Sequence, residues 1–180
     1  SIDSLRQQIM QRAPAGLILS GGPKSVHVEG APRLDPAVYD LGIPILGICY
    51  GAQLVALQLG GEVANTGRGE YGRTDLDVQG EGLLFGPAQP KHQQVWMSHF
   101  DSITVAPDGF TVTATTGDVP VAALEDADRG VFGVQFHPEV VHTAYGQEVL
   151  EHFLYDAVGA PPTWTPSSII ETQVALIREQ

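Results

Sequence analysis

A single cysteine stands between two glycines, at the point where an apolar run gives way to a helical pattern. The residues are Gly47-Ile48-Cys49-Tyr50-Gly51, preceded by the apolar residues 44–48 and followed by a helical pattern over 53–59. A strand–turn–helix of this kind holds a nucleophile at a sharp apex, where flanking glycines let the backbone fold back. The helix N-terminus at the apex favours a thiolate. The segment predicts a nucleophilic thiol, although a buried structural cysteine explains it as well.

The composition narrows the class of protein. The chain has 180 residues, of which 43% are hydrophobic and 17% charged, and this predicts one globular domain with a sizeable core. The net charge of −12 disfavours nucleic acid and anionic membranes as partners. One cysteine cannot form an internal disulfide, which suits a reducing compartment. Because the sequence shows neither a membrane-length apolar run nor a signal peptide, we expect a cytoplasmic protein.

The first part of the chain alternates helical and strand patterns. Helices are predicted over 2–12 and 36–41, and strands over 16–20 and 44–48. The strand at 16–20 is almost entirely apolar, as is typical of a strand buried on both faces of a parallel sheet. Alternation of this kind predicts a parallel α/β sheet with right-handed crossovers.

After Gly61 the pattern changes to short segments separated by turn residues. Strands are predicted over 73–78, 93–98, 102–106, 110–115 and 121–125. Their polar and apolar alternation favours antiparallel pairing with one face in water. The apolar residues 131–136 are expected to rejoin the main sheet, and a helix over 144–158 to cover it with Val149, Phe153 and Leu154 inward. The predicted fold is a three-layer α/β domain, with a mostly parallel sheet flanked by helices and a small antiparallel subsheet.

The C-terminal residues form a separate region. Pro161-Pro162 ends the predicted domain of residues 1–160, and residues 161–180 are interpreted as a linker and the start of a following domain. Ser168 and Glu171 form a capping-box pattern, and the helix that follows carries one apolar stripe. The stripe either packs on this domain or belongs to a further one, and the proline-rich linker favours the second alternative.

A thiolate nucleophile needs a base, and the base needs an orienting group. His137 follows a buried strand at the sheet edge where ligands usually bind, and Glu139 lies two residues on, facing the same way in extended backbone. Cys49, His137 and Glu139 therefore fit a catalytic triad, although a His-x-Glu pair alone is equally often structural. No metal site is expected here.

Acyl transfer also requires an oxyanion hole. The N–H of Tyr50, directly after the nucleophile, is one donor expected from the elbow geometry. Gly21-Gly22-Pro23 ends the neighbouring strand and can supply the second donor, because Gly22 allows close approach of a ligand. A plain tight turn is the alternative interpretation of these three residues.

Three motifs together resemble the class I (triad) glutamine amidotransferases: Leu19-Ser20-Gly21-Gly22-Pro23, residues 47–53, and residues 133–139. Within that class, residues 49–53, 70–72, 96–101 and 139–143 resemble the amidotransferase domains of GMP synthases. Residues 164–180 resemble the entry into the ATP-pyrophosphatase domain of those enzymes. The family's opening strand and helix, with a Phe-Gly-Ser-Gln-Tyr-like motif, have no match here.

The resemblance implies a flavodoxin-like amidotransferase fold and a role for each matching residue. Cys49 would be the nucleophile, His137 the general base and Glu139 its orienter. Gly22 and Tyr50 would supply the oxyanion-hole amides. The substrate-binding residues implied are Gln53, Ser98, His99 and Asp101, with Asp101 for the ammonium group. Residues 70–72, which by themselves suggest a loop with an exposed charge, would lie near the synthetase half.

The resemblance also implies an activity and its partners. The activity is hydrolysis of L-glutamine to glutamate and ammonia, and the ammonia would reach a synthetase domain that aminates XMP to GMP. That domain would belong to the same chain or to a separate subunit, and the full-length protein would be a homodimer. ATP and magnesium are expected only in the synthetase domain, and no cofactor is expected here, since a phosphate-cradling Gly-x-x-x-x-Gly-Lys loop is absent from the sequence.

Two alternatives stay open at the level of sequence. The chain can be the glutaminase domain of another class I amidotransferase, such as the anthranilate synthase or carbamoyl phosphate type. It can also be a non-catalytic regulatory relic that only binds glutamine or a partner. Residues 98–101 and the C-terminal stretch argue against the first alternative, and the complete triad argues against the second.

Overall fold

Seven strands and three helices make up the part of the chain that the computed structural model describes, residues 2–162, with side chains from residue 5. The helices are α1 (Ile2–Arg12), α2 (Tyr50–Gln58) and α3 (Gly146–Glu151), which continues in π-helical geometry over His152–Ala157; a 3₁₀ turn spans Pro36–Val38. The strands are β1 (Leu17–Leu19), β2 (Ile45–Ile48), β3 (Glu62–Val78), β4 (His92–Val105), β5 (Thr111–Thr115), β6 (Ala123–Asp126) and β7 (Val131–Val134). The predicted tail and its apolar stripe lie outside the described residues.

All seven strands join one sheet, in the order β1-β2-β7-β6-β5-β3-β4. The pairings β1–β2 and β2–β7 are parallel, and the four others are antiparallel. The predicted α/β class and the return of residues 131–134 to the parallel strands are confirmed. Parallel pairing does not predominate within residues 2–162, because the long β3–β4 hairpin enlarges the antiparallel part of the sheet.

Strands β3 and β4 are longer than the sequence patterns predict. β4 runs without interruption through residues 98–101, joining two predicted strands, and β3 begins at Glu62. The expected loop at residues 70–72 is wrong, since these residues pair with 97–99 of β4. The stretch before them contains a register shift between Asn65 and Glu70.

Apolar side chains cover both faces of the central strands. Ile45 and Val131 pack with α2 in one cluster. Leu46 and Phe132, their neighbours in sequence, pack in the other cluster, where the ring of Phe132 lies 6.0 Å from that of Phe153, measured between centroids. Successive residues of a strand face opposite sides, so helices cover the two faces of the sheet and the predicted three layers are confirmed.

Strand β1 lies at one edge of the described sheet. Its central residue, Ile18, is 48% exposed, so the prediction that this strand is buried on both faces is wrong. Within residues 2–162, β1 pairs with β2 alone, which leaves one of its sides uncovered. An apolar cleft of about 450 Å³, lined by Leu5, Ile18 and Leu54 among others, runs along this edge.

The C-terminal helix departs from the predicted face at one residue. Val149 and Phe153 are buried as expected, but Leu154 is 38% exposed. The wider π-helical turn over 152–157 changes the angular spacing on which a 3.6-residue pattern depends, and Leu154 no longer falls on the inner face.

Among the helices that the structure describes, none combines the length and the apolar character needed to cross a membrane.

Candidate active site

Cys49 lies at the apex of a sharp turn between β2 and α2. Its φ of 51° and ψ of −106° are unusual for a residue with a side chain, as expected for a nucleophile elbow. A Cβ on Gly47 would lie 2.6 Å from the backbone nitrogen of Ala52, and one on Gly51 would collide with the carbonyl of Leu19. The predicted turn is therefore confirmed, and both glycines are required by close backbone approach.

His137 and Glu139 lie beside this apex, beyond the end of β7. The His137 Nδ1 and the Glu139 Oε1 are 2.7 Å apart. The His137 ring and the Cys49 Cβ both lie within 4 Å of the position a Cβ on Gly21 would take, so the two side chains are neighbours beside Gly21. Thr143 holds the segment: its hydroxyl donates to the His137 carbonyl at 2.5 Å and accepts from the Trp96 N–H at 3.0 Å.

The imidazole of His137 binds its proton unusually tightly. A hydrogen bond with Cys49 raises the pKa of His137 from 6.5 to about 9, and the bond with Glu139 adds to this, while burial acts in the opposite direction. Because Glu139 accepts the hydrogen on Nδ1, the other ring nitrogen is left for the thiol. The histidine is thus cationic at neutral pH and can donate a proton to a leaving group.

A cleft of about 480 Å³ opens in front of Cys49. Three segments line this Cys49 cleft, namely residues 22–27, 49–53 and 98–101, together with Asn65 and Tyr71. The cleft lies at the carboxyl ends of β1 and β2, the edge of the sheet at which the sequence predicts a site. Apart from His137 and Glu139, every predicted site residue lines it: Gly22, Cys49, Tyr50, Gln53, Ser98, His99 and Asp101.

Asp101 presents a negative charge without a partner. The residue is only 8% exposed, and within residues 2–162 its carboxylate forms neither an ion pair nor a hydrogen bond. Its backbone carbonyl, by contrast, accepts from Gln53 Nε2 at 2.6 Å. A poorly hydrated carboxylate that faces a cleft is suited to bind a cationic ligand group.

Gln53 and Ser98 line the same cleft and differ in which of their polar atoms a ligand can reach. The amide nitrogen of Gln53 donates to the Asp101 carbonyl and to Gln135 Oε1 at 3.3 Å, so its remaining contact with a ligand would use the amide oxygen. The side chain of Ser98 is exposed at the cleft, and its carbonyl lies 3.7 Å from the thiol sulfur. Gln53 supports the cleft wall, and Ser98 is open to it.

The structure does not present a free ring nitrogen of His99 to a ligand. Its Nδ1 lies 3.0 Å from the Asp101 carbonyl and its Nε2 lies 3.0 Å from Glu70 Oε2. The role in substrate binding that the resemblance implies for His99 stays a prediction. The exposed charge expected at Glu70 is wrong, since the Glu70 side chain is buried against His99.

Comparison with known proteins identifies the family. The family model named "Glutamine amidotransferase class-I" matches residues 1–157. The chain belongs to the class I glutamine amidotransferases. The resemblance inferred from the three motifs is thereby confirmed.

This amidotransferase has close relatives among curated proteins. It is 56% identical over 174 residues to "GMP synthase [glutamine-hydrolyzing]" of Thermobifida fusca, covering 97% of this chain and 33% of that protein. It is 54% identical over 173 residues to the protein of the same name from Streptomyces avermitilis, covering 96% of this chain and 33% of that one. The chain thus spans about a third of the length of the curated relatives it matches.

Solved structures share the amidotransferase fold. A GMP synthase subunit from Thermoplasma acidophilum superposes with a TM-score of 0.70 at 32% identity, covering 93% of this chain and 79% of that one. A Thermotoga maritima glutamine amidotransferase superposes with a TM-score of 0.63 at 20% identity, covering 79% of this chain and 78% of that one. The second likeness concerns the fold alone.

Sequence reasoning missed several residues of this amidotransferase site. Lys24 is the one Lys or Arg among the residues that line the Cys49 cleft, and Gln135 Nε2 lies 3.8 Å from the thiol sulfur. Lys24 directly follows the motif of residues 19–23 and Gln135 lies within that of residues 133–139, but their residue types alone suggest no role. Within residues 2–162 no group of three His, Cys, Asp or Glu side chains is arranged to hold a metal ion.

Proposed function

We propose that this amidotransferase domain hydrolyses L-glutamine by a Cys49–His137–Glu139 triad and passes the ammonia to a synthetase that converts XMP to GMP. One observation supports the proposal above all. A thiol on a positive-φ apex lies beside an ion-paired histidine, and its cleft is also lined by Asp101, whose carboxylate has no partner within residues 2–162.

In the first half-reaction, the thiolate of Cys49 attacks the side-chain amide carbon of glutamine. The oxygen of the tetrahedral intermediate accepts hydrogen bonds from the N–H groups of Gly22 and Tyr50, the latter free because it begins α2. The C–N bond then breaks as His137 gives its proton to the leaving nitrogen. The products of this step are ammonia and a glutamyl thioester on Cys49.

In the second half-reaction, water cleaves the thioester. Neutral His137 takes a proton from the water as it attacks the acyl carbon, and the C–S bond breaks to release glutamate. The proton stays on His137, and Cys49 returns to the thiolate. Glu139 holds the imidazole in one orientation throughout and stabilises its charged form.

The substrate is oriented by opposite charges on the cleft lining. Asp101 pairs with the α-ammonium group of glutamine, and Lys24 is placed to meet its α-carboxylate. Ser98 and the amide oxygen of Gln53 supply further hydrogen bonds. His99 contributes indirectly, through its bond to the Asp101 carbonyl.

The proposal for the whole protein rests on the relatives' names. Relatives about three times as long are named GMP synthase, so we assign the amination of XMP, with its ATP and magnesium, to a synthetase region beyond this domain. That region is a domain of the same chain or a separate subunit, and the assembled enzyme is a cytoplasmic homodimer of purine nucleotide biosynthesis. We propose no cofactor for this domain, and neither nucleic acid nor membrane as its partner.

The presence of one cysteine makes the test direct. Iodoacetamide can modify only Cys49 among cysteines, so the rate of thiol alkylation reports on the active site. We expect glutamine to slow alkylation in a saturable manner, and glutarate monoamide, which lacks the α-ammonium group, to have little effect. Cys49→Ala should bind glutamine without turning it over, and turnover by this variant would rule out Cys49 as the nucleophile.

The alternatives give different results in the same experiments. A regulatory relic would show protection by glutamine but no turnover under any condition. An amidotransferase of another pathway would not respond to the ATP-pyrophosphatase domain of a GMP synthase with XMP and ATP, whereas the proposed enzyme should. Glutamine hydrolysis and ammonia incorporation into GMP are the two quantities to measure.

A further inference from the structure

A buried charged couple lies next to the substrate-binding wall, and the triad chemistry does not use it. The side chains of His99 and Glu70 are 1% and 8% exposed, and their nearest atoms, Nε2 and Oε2, are 3.0 Å apart. The second carboxylate oxygen of Glu70 accepts from the hydroxyl of Thr116 at 2.6 Å. We call these two residues the Glu70–His99 pair.

Hydrogen-bond partners determine what this pair can do. The His99 Nδ1 faces a backbone carbonyl, which only accepts, so this nitrogen carries a hydrogen. One further proton is shared between His99 Nε2 and Glu70 Oε2, and the pair is neutral overall whichever atom holds it. A neutral pair with every polar atom bonded is well suited to a fixed structural position and poorly suited to proton exchange with the cleft.

The pair lies where the backbone ladder between β3 and β4 is interrupted. Asn65 pairs with Asp101 and Glu70 pairs with His99, so residues 66–69 of β3 stand opposite the single residue Phe100 of β4. Regular ladder hydrogen bonds cannot fix the backbone across such a shift. The side-chain bond between Glu70 and His99 joins the two strands at this place instead.

The carbonyl of Asp101 connects the pair to the nucleophile. It accepts from His99 Nδ1 at 3.0 Å and from Gln53 Nε2 at 2.6 Å. Gln53 belongs to α2, the helix that begins after Cys49, and it also bonds to Gln135, whose amide lies 3.8 Å from the thiol. The backbone of Asp101 is therefore held between the Glu70–His99 pair on one side and the elbow helix on the other.

We infer that Glu70 and His99 are positioning residues that set the orientation of the Asp101 carboxylate, and thereby the affinity for the α-ammonium group of glutamine. The inference rests on the proposed function, because it takes glutamine as the ligand of Asp101. Neither residue touches the substrate. Their effect falls on glutamine binding, while the thiol and its base keep their geometry.

Two substitutions at Glu70 separate positioning from mere stability. Glu70→Ala leaves His99 without its partner, and we expect the glutamine concentration for half-protection of Cys49 against iodoacetamide to rise about tenfold, the effect of one lost charged hydrogen bond. Glu70→Gln can accept from Thr116 and donate to His99 Nε2, so it should restore affinity near that of the unchanged chain. Without glutamine, both variants should be alkylated at the rate of the unchanged chain.

Two substitutions at His99 locate the important bond. The amide nitrogen of Asn can take the place of Nδ1 and keep the bond to the Asp101 carbonyl, whereas that of Gln can take the place of Nε2 and keep only the bond to Glu70. We therefore expect His99→Gln to weaken protection by glutamine more than His99→Asn. Asp75→Ala is the matched control, an exposed acid on the same strand that contacts Gln94 of β4.

The outcomes are distinguishable. If Glu70→Ala lowers the melting temperature but leaves half-protection unchanged, the pair is structural only and the inference is wrong. If His99→Gln is protected by glutamine as well as the unchanged chain, the bond to the Asp101 carbonyl is not what transmits the effect. Absence of protection by glutamine in the unchanged chain would overturn the proposed function, and this inference with it.

Discussion

In the proposed mechanism, His137 controls the alkaline limit of activity. Its protonated form donates to the leaving nitrogen, and its pKa is raised to about 9 by the bonds with Cys49 and Glu139. As the pH rises through 9 the proton is lost, so kcat/KM for glutamine should fall on that side. Glu139→Gln keeps an acceptor for the Nδ1 hydrogen but removes the negative charge beside the ring, so the fall in kcat/KM should move to lower pH. If kcat/KM of this variant falls at the same pH as that of the unchanged chain, a group other than His137 causes the fall.

Asp101 should govern substrate binding more than chemistry. Asp101→Asn keeps the side-chain shape but cannot neutralise an ammonium group, and we expect KM to rise about 10- to 100-fold with kcat little changed, since the contact is equal in ground and transition states. Steady-state glutaminase kinetics measure both constants. Asp108→Asn, an exposed acid in a turn, is the control, and equal KM values in the two variants would remove Asp101 from the site.

Lys24 should have a smaller effect than Asp101, because its side chain is exposed. An exposed ion pair contributes roughly 0.2–1 kcal/mol, so Lys24→Met is expected to raise KM by about two- to fivefold. Lys24→Arg preserves the charge and should restore most of the affinity. Unchanged KM in Lys24→Met would show that the α-carboxylate of glutamine is bound elsewhere.

The sharp turn at Cys49 and the contact between His137 and Glu139 could be predicted from sequence, because short spacing dictates the geometry of each. Glycines on both sides of Cys49 identify a sharp turn, and a His-x-Glu run in extended backbone directs two side chains the same way. The surroundings of His99 could not be predicted, since one partner, Glu70, is distant in sequence and the other is the backbone carbonyl of Asp101. Pairings across a register shift have no signature in local sequence.

The elbow is sensitive to any side chain at Gly51. A Cβ there would collide with the carbonyl of Leu19 in β1, which cannot move without breaking the β1–β2 pairing. We expect Gly51→Ala to lower the free energy of unfolding by about 1–3 kcal/mol, as overpacking generally does. Urea unfolding monitored by circular dichroism measures the change.

Gly117 provides the control for this substitution. A Cβ at Gly117 meets no atom within 4 Å, so Gly117→Ala should leave the stability close to that of the unchanged chain. If the two variants were equally stable, close packing between the elbow and β1 would not be the reason for glycine at position 51.

The elements themselves were predicted unevenly. The parallel strands and α2 follow from apolar runs with glycine boundaries, which are local signals. No local signal predicts the continuity of β4 through residues 98–101 or the π-helical end of α3, because tertiary packing decides both. A period of 3.6 residues assumes α-helical geometry, and this is why Leu154 was assigned to the wrong face.

The isolated domain should hydrolyse glutamine poorly. Gly22, a proposed oxyanion donor, follows β1, a strand that has a pairing partner on one side only in the described sheet. Displacement of a catalytic group by about 1 Å can cost on the order of a hundredfold in rate. Tyr71 and Phe100 at the cleft are 67% and 51% exposed and offer a surface through which a synthetase can order the site.

The measurement compares the 180-residue chain alone with the same chain plus a synthetase domain, XMP and ATP. We expect glutaminase activity to rise strongly on addition of all three. High activity of the chain alone, unchanged by the partner, would disprove this dependence without affecting the assignment of Cys49.

The position of β7 next to β2 has a consequence for the order of folding. The β3–β4 hairpin forms from neighbouring segments of chain, whereas β2 acquires β7 only after the whole antiparallel region between them has been synthesised. Pairings distant in sequence form slowly, because a long loop must first be closed. During synthesis Cys49 is therefore present well before His137, and the thiol has no histidine beside it until β7 is in place.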